Sequence, residues 1–413
     1  MSGLTNSRDT SLRERARVVV PGGMWGHMNA AALPEGYPQF FARGAGSRLW
    51  DVDGREFVDF MCSWGPIILG HRHPEVEEAA RRQLDLGDCL NGPSEAMVEL
   101  AELLVDIVPA ADWAQFQKNG TDATTTAVTI ARAGTRRRKI LVARGAYHGA
   151  VPWCSPSLVG VTTEDRAHII LYDYNDVDSL ERAVAEASGD LAGIVVSAFQ
   201  HDYGKDQTLP TLAFAQAARA LCDREDAALI VDDVRAGFRL NLGGSWETLG
   251  VKPDLSAWSK SIANGFALAA ITGNDRFREA TSSIFTTGSF WCSALSMAAG
   301  VATLNVLRRD DGVGHMTRLG QMLRDGLEAL SVTHSLPIRQ TGPVQMPMVL
   351  FDDDADHRKG FAFCAAALKQ GVYFHPLHNM FLSVAHTTDD IARALDAADH
   401  GFKAARAMPA AHD

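Results

Sequence analysis

The sequence is sparing with features that mark several protein classes. Cysteine occurs six times in 413 residues, at Cys62, Cys89, Cys154, Cys222, Cys292 and Cys364, with no Cys-x-x-Cys pair. That argues against a disulfide scaffold or a cysteine-rich zinc module, and it fits a reducing compartment. No apolar run reaches the roughly 20 residues that a membrane helix needs. The stretch from Met1 to Arg17 mixes arginine with Asp9 and Glu14 and has no apolar centre. It does not read as a secretory signal, so a cytoplasmic protein is expected. Positive charge is in deficit, with 39 Lys+Arg against 50 Asp+Glu and a net charge of −11. A sequence-independent grip on nucleic acid or anionic lipid is therefore not expected, although a local pocket for one small anion remains open. Internal repeats, low-complexity blocks and long linkers are missing too.

What is there suits a soluble globular chain: 46% hydrophobic, 22% charged and 8% aromatic residues. The length allows two or three domains of roughly 150 residues each. The first twenty residues suit a helix packed on the body, broken at Pro21-Gly22-Gly23. Residues 48–60 alternate apolar and polar side chains around Asp53-Gly54, a hairpin signal. Residues 95–108 carry apolar positions at helical spacing and stop before Pro109. Strand-length apolar runs follow at 113–117, 139–143, 192–198, 228–231, 255–258 and 268–272, with helical stretches at 122–133, 177–187 and 211–223. This alternation predicts an α/β fold with a mostly parallel central sheet, its strands buried on both faces. After residue 295 a long helix (295–309) leads into a helix–strand–helix–strand–helix tail. The expected division is an N-terminal segment with the hairpin (1–60), a large domain (61–294) and a smaller α+β domain (295–413) that the hairpin joins.

Five motifs carry chemistry. Asn119-Gly120-Thr121-Asp122 opens a helix after a short strand. Glycine lets a backbone approach a ligand, and free N–H groups at a helix start favour an anion; the plain alternative is a turn capped by Thr121 or Asp122. Asp232-Asp233 end an apolar strand, where open α/β sheets bind ligands. A carboxylate there suits a cation or a protonated ring nitrogen, or simply caps the next turn. Mg²⁺ also suits an aspartate pair, but no phosphate-binding G-x-x-x-x-G-K-[ST] loop accompanies it. Lys260 ends another strand among apolar residues, where desolvation lowers an amine's pKa and makes it a nucleophile; otherwise it is a lysine reaching back to solvent. Tyr147 and His148 sit on a glycine-flanked loop that can stack on a planar ring or form an ordinary turn. Thr287-Gly288-Ser289 is a second possible anion contact. The order of these motifs says more than each alone: an anion cradle, an aromatic, a carboxylate, then a lysine 28 residues on. Pyridoxal phosphate (PLP) chemistry uses that set of groups.

With those residues in place, the chain resembles the class III (fold type I) PLP-dependent aminotransferases, most of all the glutamate-1-semialdehyde 2,1-aminomutases. The likeness runs from Pro21-Gly22-Gly23 to Ala385-His386-Thr387. It rests on ARGAGSRLWDVDGREFVD, SWGPIILGHRHP, NGTDA, AYHG, DDVRAGFR and FLSVAHT. The resemblance implies that Lys260 is the Schiff-base lysine and Asp232 the partner of the pyridine nitrogen. It implies that Gly120 and Thr121 cradle the phosphate and that Tyr147 stacks on the ring. Gly288 and Ser289 match a pair that reaches the phosphate from a neighbouring subunit, so a homodimer with a shared site is implied. His71 and His73 belong to a family stretch that holds no metal, and they read as structural.

Four departures surround the substrate end of the family pattern. Asn29 stands where the aminomutase has a carboxylate-binding arginine. Ser197-Ala198 replaces a Glu-Pro dipeptide. Arg235 replaces an apolar residue, and His378-Asn379 replaces a Tyr-Glu-like pair. The expectation is a PLP-dependent aminotransferase whose substrate is not glutamate 1-semialdehyde, with Trp64 and Tyr147 walling the site, Asn29 near the substrate, and Arg235 as a replacement substrate anchor. An aminomutase or a racemase or epimerase would use the same Lys260 and Asp232, and a non-catalytic ligand-binding relative is the reading from another class. A nucleic-acid regulator is not expected, since no basic domain is appended.

Overall fold

The structure is a computed structural model, and it describes residues 7–408. The outermost ends of the expected 1–60 and 295–413 segments, 1–6 and 409–413, lie outside the described residues. The strands, in chain order, are β1 (Phe41–Ala45), β2 (Arg48–Asp51), β3 (Glu56–Asp59), β4 (Trp113–Gln117), β5 (Lys139–Ala143), β6 (Ile169–Tyr172), β7 (Leu191–Ser197), β8 (Ala228–Asp232), β9 (Leu255–Trp258), β10 (Ala269–Gly273), β11 (Ile338–Thr341), β12 (Met348–Phe351) and β13 (Val372–Tyr373).

Seven of them form the central sheet, in the order β4-β10-β9-β8-β7-β5-β6. The neighbours β6, β5, β7, β8 and β9 pair in parallel, and only β10 runs against its neighbours. β4 therefore points the same way as β9. The expected mostly parallel sheet is present. Every residue of β7 is buried, as a strand covered on both faces requires. The helix Gly120–Thr135 packs Ala123, Ala127, Ile130 and Ala131 against one face, and the helices Val177–Ala187 and Leu212–Glu225 cover the other. β6 escaped the sequence reading because it is an edge strand with Leu171 turned outward.

The second sheet has the order β1-β2-β3-β13. β2 and β3 form the expected antiparallel hairpin. β13 joins β3 in parallel, with Val372 opposite Val58, so segments more than 300 residues apart share this sheet. The C-terminal tail has one more strand than expected, because β11 and β12 form a hairpin between helices Gly312–His334 and Arg358–Lys369. Near the other end, helix Ser7–Val19 packs on the body. Asp9, fully buried, pairs with Arg13 and accepts the backbone N–H groups of Gln39 and Phe40. Among the described residues, no helix is long and apolar enough to cross a membrane.

Candidate active site

The carboxyl ends of β4, β5, β7, β8 and β9 lie along one edge of the sheet, and the loops that follow them line one cavity of about 380 Å³. Ligands of open α/β sheets bind at such an edge. Gly120, Thr121, Tyr147, Asp232, Arg235 and Lys260, spread over 141 positions, meet here.

The helix after β4 starts at Gly120, with Asn119 as its cap rather than Thr121 or Asp122. The Asn119 side chain accepts the Asp122 N–H at 3.3 Å, and the Asp122 carboxylate accepts the Asn119 N–H at 3.2 Å. This reciprocal cap uses the third N–H of the helix and leaves those of Gly120 and Thr121 free. Free N–H groups at the positive end of a helix suit a phosphate. Gly149 closes the cradle with φ +136°, and a Cβ there would come 2.7 Å from Thr121 Oγ1. A Cβ on Gly120 would strike Val234 at 2.6 Å.

Asp232 is held from two sides. Its Oδ2 lies 2.7 Å from His148 Nδ1, and its Oδ1 accepts the Val234 N–H at 3.1 Å. His148 is buried, while its neighbour Tyr147 is exposed at the cavity wall. Beneath Asp232, burial raises the Asp233 carboxyl to about 6.

Lys260 follows β9 with a positive φ of 44°. Its Nζ donates to the Trp64 carbonyl at 3.1 Å. Desolvation pushes its pKa down to about 7; the positive charge of Arg235 lowers it further and Asp232 opposes the shift. The carbonyl that receives this amine belongs to an unusual turn. Cys62, Ser63 and Trp64 have φ values of 47°, 54° and 65°, and Gly65 follows at 108°. Left-handed backbone costs a non-glycine residue roughly 1–2 kcal/mol. Three in succession persist only where the surroundings enforce them, and such strain gathers at functional sites. Here Gly65 O accepts Arg239 Nη2 at 2.7 Å, and Arg239, wholly buried, also bonds the Leu382 carbonyl and lies over the Phe381 ring.

Arg235 lines the cavity. Its Nη1 lies 3.1 Å from His378 Nε2 and donates to Asn379 Oδ1 at 2.8 Å. Desolvation lowers its pKa to about 10. The Trp64 ring is not part of the cavity wall. It packs edge-on among His27 (4.6 Å), His378 (4.9 Å) and His375 (5.3 Å). Burial holds the His375 imidazole down at about 3 and keeps His378 and His201 well below their usual pKa, so these rings stay neutral.

Three expected residues lie apart. Asn29 spends its side chain on the Met24 carbonyl and the Ala31 N–H, capping a short turn. Gly288 and Ser289 do not line this cavity. They lie in a loop that exposes Phe285 and Phe290. His71, read as structural, sits 2.8 Å from Asp59. The sequence reading passed over His27, His375 and the Cys62–Gly65 turn as site elements. No linear signal joins positions 27, 64 and 375.

The family described as Aminotransferase class-III matches residues 32–397. The chain is 50% identical to an aminopentol aminotransferase of Sphingopyxis macrogoltabida, covering 96% of this chain and 94% of the relative. It is 34% identical to a glutamate-1-semialdehyde 2,1-aminomutase of Nitratidesulfovibrio vulgaris, covering 95% and 99%. The solved structure of the FumI protein of Sphingopyxis sp. MTA144, in its PLP internal aldimine form, superposes with a TM-score of 0.95 at 50% identity over 96% of both chains.

Proposed function

From the premise that this chain belongs to the class-III aminotransferases and is a PLP-dependent aminotransferase, we propose the following division of labour. The free N–H groups of Gly120 and Thr121 hold the phosphate, Tyr147 packs on the ring, and Asp232 holds the proton on the pyridine nitrogen. His148 Nδ1 orients that carboxylate from behind. Lys260 Nζ is the amine that would hold the cofactor through its aldehyde carbon. The residues present fit the cofactor: Gly149 and Gly120 leave no room for a Cβ at the cradle, and the amine and the carboxylate share one cavity. Once bound, the cofactor supplies an electron sink that labilises the proton on the amine-bearing carbon. Lys260 Nζ, its pKa pushed down to about 7, is the base that would carry that proton between the substrate carbon and the cofactor carbon two atoms away. The Trp64 carbonyl receives the amine when it is free. Residues 61–294 form the cofactor-carrying domain, and 1–60 with 295–413 form the smaller one. Gly288 and Ser289 complete the cradle of a second copy in a cytoplasmic homodimer; their position away from this chain's cavity supports that reading.

The amine donor is an amine bearing hydroxyl groups, as the name of the 50%-identical relative suggests, and glutamate 1-semialdehyde is not the substrate. Asn29 in place of an arginine and the neutral histidines beside Trp64 support this. The observation that carries the proposal is the meeting of a low-pKa lysine, a carboxylate and a free helix start in one cavity. The test is the absorption spectrum of the purified protein with PLP, followed by borohydride and peptide mapping. Fixation of the cofactor on Lys260, bleaching by a hydroxylated amine and release of a carbonyl product are expected. A Lys260→Ala protein that turns over the amine at the wild-type rate would overturn the mechanism.

A further inference from the structure

The amine of Lys260 is held by a carbonyl, and that carbonyl belongs to a strained turn. Trp64 O, which receives Lys260 Nζ at 3.1 Å, sits on the third of three consecutive left-handed residues. Such backbone persists only where its surroundings enforce it. Here the enforcement starts at Asp59, the buried last residue of β3. Its Oδ1 accepts the Met61 N–H at 2.8 Å and the Cys62 N–H at 3.0 Å, the two that lead into the turn. Bonds from backbone N–H groups to a carboxylate are among the strong ones. Its Oδ2 lies 2.8 Å from His71 Nε2. The His71 ring is wedged against β1, since a Cβ on Gly44 would come 2.6 Å from it. Inside the turn, Trp64 N–H donates to the Met61 carbonyl at 2.8 Å and Gly65 N–H to the Cys62 carbonyl at 3.0 Å. Arg239 fixes the far end through the Gly65 carbonyl.

The lysine sits in a facing turn of the same kind. Lys260 and Asn264 have φ values of 44° and 43°. Asn264 latches this turn to the chain beyond Gly65: its Oδ1 accepts the Leu69 N–H at 2.8 Å, and its Nδ2 donates to the Gly70 carbonyl at 2.9 Å. Gly65, with φ 108°, is the contact between the two turns. A Cβ there would come 3.3 Å from Lys260 Cδ. The lysine stem therefore lies over bare backbone, and its tip meets the carbonyl one residue earlier. Asp59 and Gly65 stand outside the cavity wall, yet one sets the tip of Lys260 and the other its stem.

We propose that Asp59 and Gly65 are positioning residues for Lys260: Asp59 sets the Trp64 carbonyl as a dock for the free amine, and Gly65 leaves the surface along which the lysine stem lies. The dock fixes the direction of the amine while it carries a proton. It is not needed to bind the cofactor or the donor. This rests on the transamination reading above and adds to it the parts that aim the base.

Two measurements test it. The first uses the cofactor-free protein. Trace labelling of Lys260 with acetic anhydride between pH 5 and 10, read by peptide mass spectrometry, gives the midpoint at which the amine loses its proton. A carbonyl that accepts from the charged amine favours the charged form, so loss of the dock should lower this midpoint by roughly half a pH unit. Asp59→Ala and Gly65→Ala should both show the shift. Asp59→Asn, whose amide oxygen still accepts both N–H groups, should keep the wild-type midpoint. Where Asp59→Ala fails to fold, Gly65→Ala carries the test, because it leaves the bonds of Asp59 and Arg239 in place.

The second uses the holoenzyme and a donor deuterated at the amine-bearing carbon. A misaimed base should lower kcat about tenfold and enlarge the isotope effect, with the donor KM and the PLP dissociation constant within twofold of wild type. An unmoved midpoint in Gly65→Ala, or a loss of activity that lies wholly in weaker binding of PLP or donor, would overturn the dock. A shifted midpoint in a protein that moves no amine would instead overturn the transamination reading and leave the dock standing.

Discussion

Lys260→Met in the cofactor-stripped protein should make the fold more stable, and the gain should depend on pH in a defined way. The native pKa of Lys260 is about 7, against an ordinary value of 10.5. At about 1.4 kcal/mol per pH unit, this gap is worth on the order of 5 kcal/mol. The side chain is half-buried, and screening by the remaining solvent reduces the figure to about 2–3 kcal/mol. Losing the bond to the Trp64 carbonyl takes back about 1 kcal/mol. Methionine fills a similar volume without a charge. Below pH 7 the lysine is charged in both the folded and unfolded chain, so its full cost stands there. Between pH 7 and 10.5 the unfolded chain holds the proton and the native one does not, so the cost shrinks as pH rises. Thermal midpoints of wild type and variant, measured at pH 6, 7.5 and 9, check this. The variant should melt higher at pH 6, by a few degrees, and the difference should narrow by pH 9. A variant no more stable at pH 6, or a gap that widens with pH, would refute the placement of a desolvated amine at this position.

Two further outcomes are expected. Gly149→Ala places a Cβ against Thr121 Oγ1 in a backbone region that suits glycine, so the PLP dissociation constant, read by fluorescence titration, should rise about tenfold. Co-expression of Lys260→Ala with Gly288→Leu should restore up to about a quarter of wild-type activity, because half of the randomly formed dimers are hybrids with one intact shared site. No restoration beyond the parent variants would remove the neighbour's cradle from the proposal.

Much of the framework was legible because buried parallel strands write themselves as unbroken apolar runs. β5 and β9 fall where the pattern put them, and helix Val177–Ala187 does so too. The cofactor side of the cavity was readable for a related reason: Asp232 ends a strand, Gly120 and Lys260 each follow one, and the parallel sheet aligns the ends of those strands. The rest was not readable. Arg235 meets His378 across 143 positions, and Lys260 meets Trp64 across 196. Such contacts depend on how the loops pack, which no local period encodes. The turn at Cys62–Gly65 was hidden because three of its four left-handed residues are not glycine.

The cavity and the ring cluster beside it therefore tolerate change differently. A substitution at a strand end has to respect the register of seven strands. A substitution at His27, His375 or His378 lies outside that sheet and answers only to its immediate neighbours. Exchanges on that side leave the strand ends and the groups they carry in place, so divergence among its relatives should collect there first.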